Sequence, residues 1–181
     1  YEFSKTINQY QILEADDLPL DKLQSTVFGE MQVEIIDSVN DYAELMASLF
    51  DFKKIKSLFT SKKISMCFDA MHAITGPYAK NIFEKQLSAA DSVINGNPSE
   101  DFAGGHPDPN LAHAKELVAE LYKGETAPDF GAASDGDGDR NMILGKNFFV
   151  NPSDSLAIMT ANAHLLPGYA KGIRGVARSL P

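Results

Sequence analysis

The sequence is poor in cysteine, in arginine and in positive charge as a whole. Cys67 is the only cysteine among the 181 residues, which excludes an internal disulfide and suits a reducing compartment. A cytoplasmic location is the expectation. Arginine occurs only at Arg140, Arg174 and Arg178, and 16 Lys and Arg face 25 Asp and Glu for a formal charge of −9. A phosphate backbone calls for clustered basic side chains, so no nucleic-acid partner is expected. No apolar run approaches the roughly 20 residues needed to span a bilayer. The opening YEFSKTINQY has neither the basic nor the apolar region of a signal peptide. Neither a membrane span nor secretion is expected. Low-complexity tracts and repeats of about 20 to 50 residues are also lacking, which removes solenoid and array architectures.

What remains is an ordinary globular composition, with 44% hydrophobic and 23% charged residues. A domain of this length hides about 70% of its unfolded surface on folding, so a core forms without disulfides or a structural metal. The chain begins at Tyr1 and ends at ARSLP without a polar tail, and it is expected to be a segment of a longer polypeptide.

The pattern alternates strands and helices. YEFSKTINQYQIL at the start reads as strand or helix, and EADDLPLDKLQSTVFGE, polar and Pro-containing, reads as a connector. VEIID (33–37) is a short β-branched run, and residues 40–59 have the apolar spacing of one long or two consecutive helices, with Asp51 able to cap the second. ISMCF (64–68) predicts a strand, GPYAKNIFEKQL (76–87) a helix with Pro77 in its first turn, and SVIN (92–95) another strand. Residues 108–124 predict a helix capped by Asp108, with Pro109 at its first position. Leu111, Leu117, Val118 and Leu121 share one face and Gly124 is the stop. DFGAAS (129–134) predicts a strand, MILG and NFFV a hairpin about Gly145 and Lys146, and Asn151 with Pro152 opens a last helix. The expected fold is α/β: a three-layer αβα domain with a mostly parallel mixed sheet and an antiparallel edge, flanked by pieces of two neighbouring domains. Boundaries are expected near residue 30 and near 148–151, giving 1–30 as the tail of one domain and a connector, 31–149 as a complete domain, and 150–181 as the start of another.

The chemistry is concentrated in DGDGDR (135–140), directly after a strand. Glycine opens backbone angles closed to other residues, so such a loop can curl until Asp135, Asp137 and Asp139 converge. Their mutual repulsion then calls for a cation. All-oxygen ligation selects a hard ion, and three carboxylates with positions left for water or phosphate suit Mg²⁺. A calcium loop of the EF-hand kind fails at two places: its sixth position, which needs Gly, holds Arg140, and its twelfth, which needs Glu, holds Lys146. A solvated acidic turn is the bland alternative. Arg140 offers a guanidinium fork to phosphate oxygens, favouring a phosphorylated ligand, and it reads equally as a salt-bridge partner to one of the aspartates. A strand-end position agrees with ligand binding at the carboxyl ends of strands in open α/β sheets.

Other side chains read as structural. His106, in GGHPDPN, reads either as facing a ligand or as part of a turn and cap, the latter being preferred, and His72, His113 and His164 show no metal spacing with one another and are expected to pack or hydrogen-bond locally. Cys67 lies in a strand without a basic neighbour and reads as core. Asp69 either lines a cleft or caps the turn that follows, the cap being preferred. Ser153 and Ser155 belong to a helix start rather than a nucleophilic arrangement. Arg174 and Arg178 read as phosphate contacts or plain surface residues, and the lysines of 53–56 as the solvated side of a helix.

The run ASDGDGDRNMILGKNFFVNPSDS, with GGHPDPNL, FDAMHAITGPYAK and IRGVARSLP, resembles phosphoglucomutase of the eukaryotic type across nearly the whole chain. DGDGDR marks the wider phosphohexomutase superfamily. Asn141, Met142 and NPSDS favour the phosphoglucomutase branch over phosphomannomutase-like relatives, and parafusin-type phosphoproteins of ciliates share the pattern. The resemblance implies a four-domain, Mg²⁺-dependent isomerase that interconverts glucose 1-phosphate and glucose 6-phosphate through glucose 1,6-bisphosphate and a phosphoserine. It implies Asp135, Asp137 and Asp139 as ligands of Mg²⁺, and Asp139 with Arg140 at the sugar phosphate. The serine loop and the sugar loop of the family are not in this sequence, so no catalytic nucleophile is expected here, and the partners implied are sugar phosphates and the remaining domains of the parent chain.

Overall fold

The computed structural model describes residues 4–10, 12, 14 and 16–177, so Arg178 and the final SLP lie outside the described residues. The chain divides into two units, residues 1–38 and 39–181. In the first, a 3₁₀ turn spans Ser4–Thr6 and a hairpin joins β1 (Gln24–Phe28) to β2 (Met31–Ile35). Phe28 lies opposite Met31 and Gln24 opposite Ile35. The stretch expected to be a connector therefore contains a strand. Its Thr26, Val27 and Phe28 favour extended backbone, and the polar, Pro-containing residues before them concealed it. The expected boundary near residue 30 falls in the hairpin turn.

The second unit is built on a five-stranded sheet of order β4-β3-β5-β6-β7. Its strands are β3 (Met66–Asp69), β4 (Val93–Ile94), β5 (Phe130–Ser134), β6 (Asn141–Gly145) and β7 (Phe148–Val150). β3 runs parallel to β4 and β5, while β6 and β7 close the other edge antiparallel. The expected α/β fold is found, its parallel part confined to three strands. Helices α1 (Ser38–Leu49) and α2 (Phe52–Thr60) are separate, and Asp51 caps α2 by accepting from the Lys54 N–H at 3.1 Å. Helix α3 (Thr75–Ala79) continues into a π-helical stretch, Lys80–Gln86. Helix α5 (Pro152–Asn162) is capped by Asn151, whose side chain accepts from the Ser153 N–H.

Period-two alternation gives each sheet face its own partners. On one face Cys67, Ala133, Met142 and Leu144 pack against Leu117 and Leu121 of α4 (Lys115–Leu121). Gly131 is obligatory there, because a Cβ would stand 2.6 Å from Leu121 Cδ2. On the other face Phe68 meets Phe83 with ring centroids 5.4 Å apart. Ile82 and Leu87 join Ala43, Met46, Phe52, Ile55 and Phe59 there, which leaves the lysines of α2 in water. Cys67 is buried, and burial pushes its thiol up to about 11, as befits a core residue.

The helix expected over 108–124 is the main correction. It begins only at Lys115 and ends at Leu121, before Gly124. Asn110 Oδ1 accepts from the backbone N–H groups of Ala112 (2.9 Å) and His113 (3.0 Å), a local turn that competes with the helical ladder. Asp108 is engaged elsewhere, accepting from Asn110 Nδ2 at 2.6 Å and from Arg140. Leu111 is therefore 47% exposed, while Leu117 is fully buried. Leu117→Ala should cost about 3 kcal/mol in urea unfolding and Leu111→Ala no more than about 0.5 kcal/mol. Equal costs would restore the longer helix.

Candidate metal centre

Strands β5 and β6 are joined by Asp135–Arg140, and Ser134 paired with Asn141 closes the loop at its base. The loop leaves the carboxyl end of β5, the same edge of the sheet as Asp69 at the end of β3. Asp135 is 2% exposed. Its two oxygens are held by one residue: Oδ1 accepts from the Arg140 backbone N–H at 3.0 Å and Oδ2 from Arg140 Nε at 2.9 Å. The salt bridge left open by the sequence is thus present, and it is what folds the loop back on itself. Gly138 takes φ of +82° there, a backbone state costly for other residues, and Thr75 packs against it. Thr75 Oγ1 is also 2.6 Å from Ser134 Oγ, which ties the start of α3 to the base of the loop.

One oxygen from each of Asp135, Asp137 and Asp139 lies within 4.8 Å of the others. Asp135 is buried beneath, and Asp137 and Asp139 are exposed above it. Charge crowding leaves its mark on titration. The nearness of Asp135, and then of Asp137, raises the Asp139 carboxyl above its ordinary range. Burial pushes Asp135 upward, but hydrogen bonds from the Arg140 backbone and guanidinium outweigh it and hold Asp135 low. Carboxylates crowded this closely present an all-oxygen donor set that a hard divalent cation satisfies.

Arg140 spans two acids. Nη1 donates to Asp108 Oδ1 at 3.1 Å, Nε also lies 3.7 Å from Asp139 Oδ1, and the side chain remains 64% exposed. Nη2 has no partner among the described residues, and the exposure of the side chain leaves it open to a ligand. Asp108, taken from sequence as a helix cap, is the site neighbour that sequence reasoning missed; a separation of 32 residues carries no periodic signal. Asp69, opposite Ala133 in the sheet, accepts from the Met71 N–H at 2.8 Å and Asn95 Nδ2 at 3.0 Å, which is the turn-capping role, and it also lines a polar cavity with His72 and Asn95.

Asp135 titrates lower in the folded chain than in the unfolded one, so its pairing stabilises the fold above the unfolded value of about 3.9. That contribution fades as pH falls through the lower folded value. Arg140→Met should accordingly lower the urea midpoint at neutral pH by more than it does near about pH 3. Equal losses at both pH values would contradict the pairing.

Comparison with known proteins identifies the family. Residues 40–148 match the family model described as phosphoglucomutase/phosphomannomutase, alpha/beta/alpha domain II. A phosphoglucomutase of Rhizobium radiobacter is 56% identical over 182 residues, covering 100% of this chain and 33% of its own length. Phosphoglucomutase 1, chloroplastic, of Marchantia polymorpha is 54% identical over 182 residues, covering 99% of this chain and 28% of its own length. Other relatives are named cytoplasmic phosphoglucomutases. The solved open form of the exocytosis-sensitive phosphoprotein pp63/parafusin (phosphoglucomutase) from Paramecium matches with a TM-score of 0.77 at 47% identity, covering 95% of this chain and 30% of that one. The chain spans about a third of the length of these relatives. With the family model covering more than half of its residues, the chain belongs to the phosphoglucomutase/phosphomannomutase family.

Proposed function

We propose that this chain is the metal-loop portion of a phosphoglucomutase that interconverts glucose 1-phosphate and glucose 6-phosphate through glucose 1,6-bisphosphate. The observation that carries the proposal is the meeting of three carboxylates at a strand end beside a half-exposed guanidinium. In this reading Asp135, Asp137 and Asp139 hold Mg²⁺. Bound there, the ion supplies neutralisation of the charge on a phosphoryl group in transfer.

The chain's own residues have distinct tasks. Asp135, locked by Arg140, sets the depth and direction of the loop. Asp137 and Asp139 present oxygens outward. Arg140 offers its free Nη2 edge to the phosphate of the sugar, with Asp139 alongside. The nucleophilic serine belongs to another part of the parent polypeptide, in keeping with relatives about three times as long. Residues 1–30, 31–149 and 150–181 are accordingly assigned to the end of a first domain with its connector, a second domain, and the beginning of a third. A cytoplasmic location goes with this reading, on the names of several relatives.

A second reading, a parafusin-like regulatory phosphoprotein on the same scaffold, is favoured by the likeness to the Paramecium protein. Turnover by the complete polypeptide separates the two. In that polypeptide Asp137→Asn should cut Mg²⁺-dependent turnover of glucose 1-phosphate by at least about 100-fold, without altering the circular dichroism spectrum, since Asp137 is exposed. Unimpaired turnover would reject the ligand assignment. Purified residues 1–181 should show no turnover, and measurable activity would overturn the placement of the nucleophile outside this chain.

A further inference from the structure

Beside the acidic loop lies a group of different chemistry. His106, Asp108 and His113 each offer one ligand atom, and these atoms lie within 4.8 Å of one another. The imidazoles are stacked, with centroids 4.4 Å apart and planes 17° from parallel. Among the described residues no ring nitrogen of either histidine takes part in a hydrogen bond. Asp108 is the anchored member, held between Asn110 Nδ2 and Arg140 Nη1. The turn that replaces the expected helix start is what assembles the group: Asn110 captures the His113 N–H at 3.0 Å, and the Asp108 N–H donates to the His106 carbonyl at 2.8 Å.

Both histidines also line a polar cavity of about 230 Å³ that includes His72, Asn95, Lys115 and Glu116. A ligand at the histidine pair therefore has an open side towards water-accessible space. A metal held there can keep a solvent molecule in its last position.

We propose that His106, Asp108 and His113 form a transition-metal site, of the Zn²⁺ class, separate from the carboxylate loop. Two imidazole nitrogens, borderline donors, beside one hard carboxylate oxygen make a mixed set that favours zinc over Mg²⁺ through its nitrogens. Bonds of about 2.0–2.2 Å in a tetrahedral shell need donor atoms roughly 3.4 Å apart. The group must therefore contract, and parallel rings must turn about χ2 to aim their lone pairs at one point. Both rings are exposed, and that rotation gives up their mutual stacking. Occupancy sets a dication at the carboxylate that also accepts from Arg140, so zinc competes with the guanidinium for Asp108. This couples the site to the phosphate-facing edge of Arg140.

The test is equilibrium dialysis of Zn²⁺ against the 181-residue chain carrying Asp137→Asn, in saturating Mg²⁺, so that the acidic loop does not compete. One zinc per chain should be retained. Adding His106→Gln or His113→Gln should each weaken retention by at least about 10-fold. In the unsubstituted chain, zinc should shift the imidazole ¹⁵N resonances of His106 and His113 together, a readout independent of any variant. Zinc retention that ignores both histidine changes, or no retention in Mg²⁺, would overturn the proposal. Failure of the Mg²⁺ assignment leaves this outcome unaffected, since the dialysis is run with Asp137 removed and the ¹⁵N shifts are read at the histidines themselves.

Discussion

The candidate site depends on one ion pair. Asp135 is nearly sealed from solvent, and an ionised carboxylate in that position is tolerated only when fully hydrogen-bonded. Arg140 meets that demand twice, through its backbone N–H and its Nε, five residues along the chain. Satisfying the buried acid therefore fixes the path of every residue between the two. Closed at both ends by that pair, a glycine-rich sequence presents three acids in one place.

The rest of the unit positions this loop. Small residues in β5 let α4 lie close on one face of the sheet, and the parallel pairing of β3 with β5 brings their carboxyl ends to a common edge. Thr75, at the start of α3, reaches Ser134 and packs against Gly138, so the crossover helix braces the loop from the side. Arg140 extends the brace to Asp108, in the turn before α4. Segments far apart in the chain thus converge on one guanidinium.

Much of this was legible from residues alone, and the reason is local. Asp51 capping α2, Asn151 capping α5, the hairpin of β6 and β7, and the curl of the acidic loop are all decided within a few residues. The convergence of Asp135, Asp137 and Asp139 follows from their alternate spacing with glycine. What was missed was decided at a distance or by competition. The Asp108–Pro109 start of a helix is a sound local pattern, but Asn110 takes the N–H groups a helix would use, and Arg140 takes the Asp108 carboxylate from across the fold. The strand at Gln24–Phe28 was hidden by the polar, Pro-containing residues before it, and only its pairing with Met31–Ile35 reveals it. The stacking of His106 on His113 follows from the same unanticipated turn.

Everything functional rests on the acidic loop being a cation site rather than a solvated turn. Paramagnetic Mn²⁺, a stand-in for Mg²⁺ with the same preference for oxygen, tests this directly when titrated into the ¹⁵N-labelled chain. At substoichiometric ion the amide signals of Gly136, Asp137, Gly138 and Asp139 should broaden first, while those of the other acidic stretches, such as Asp16, Asp17 and Glu120, stay sharp. Broadening spread evenly over the acidic surface, or centred away from residues 135–140, would contradict it.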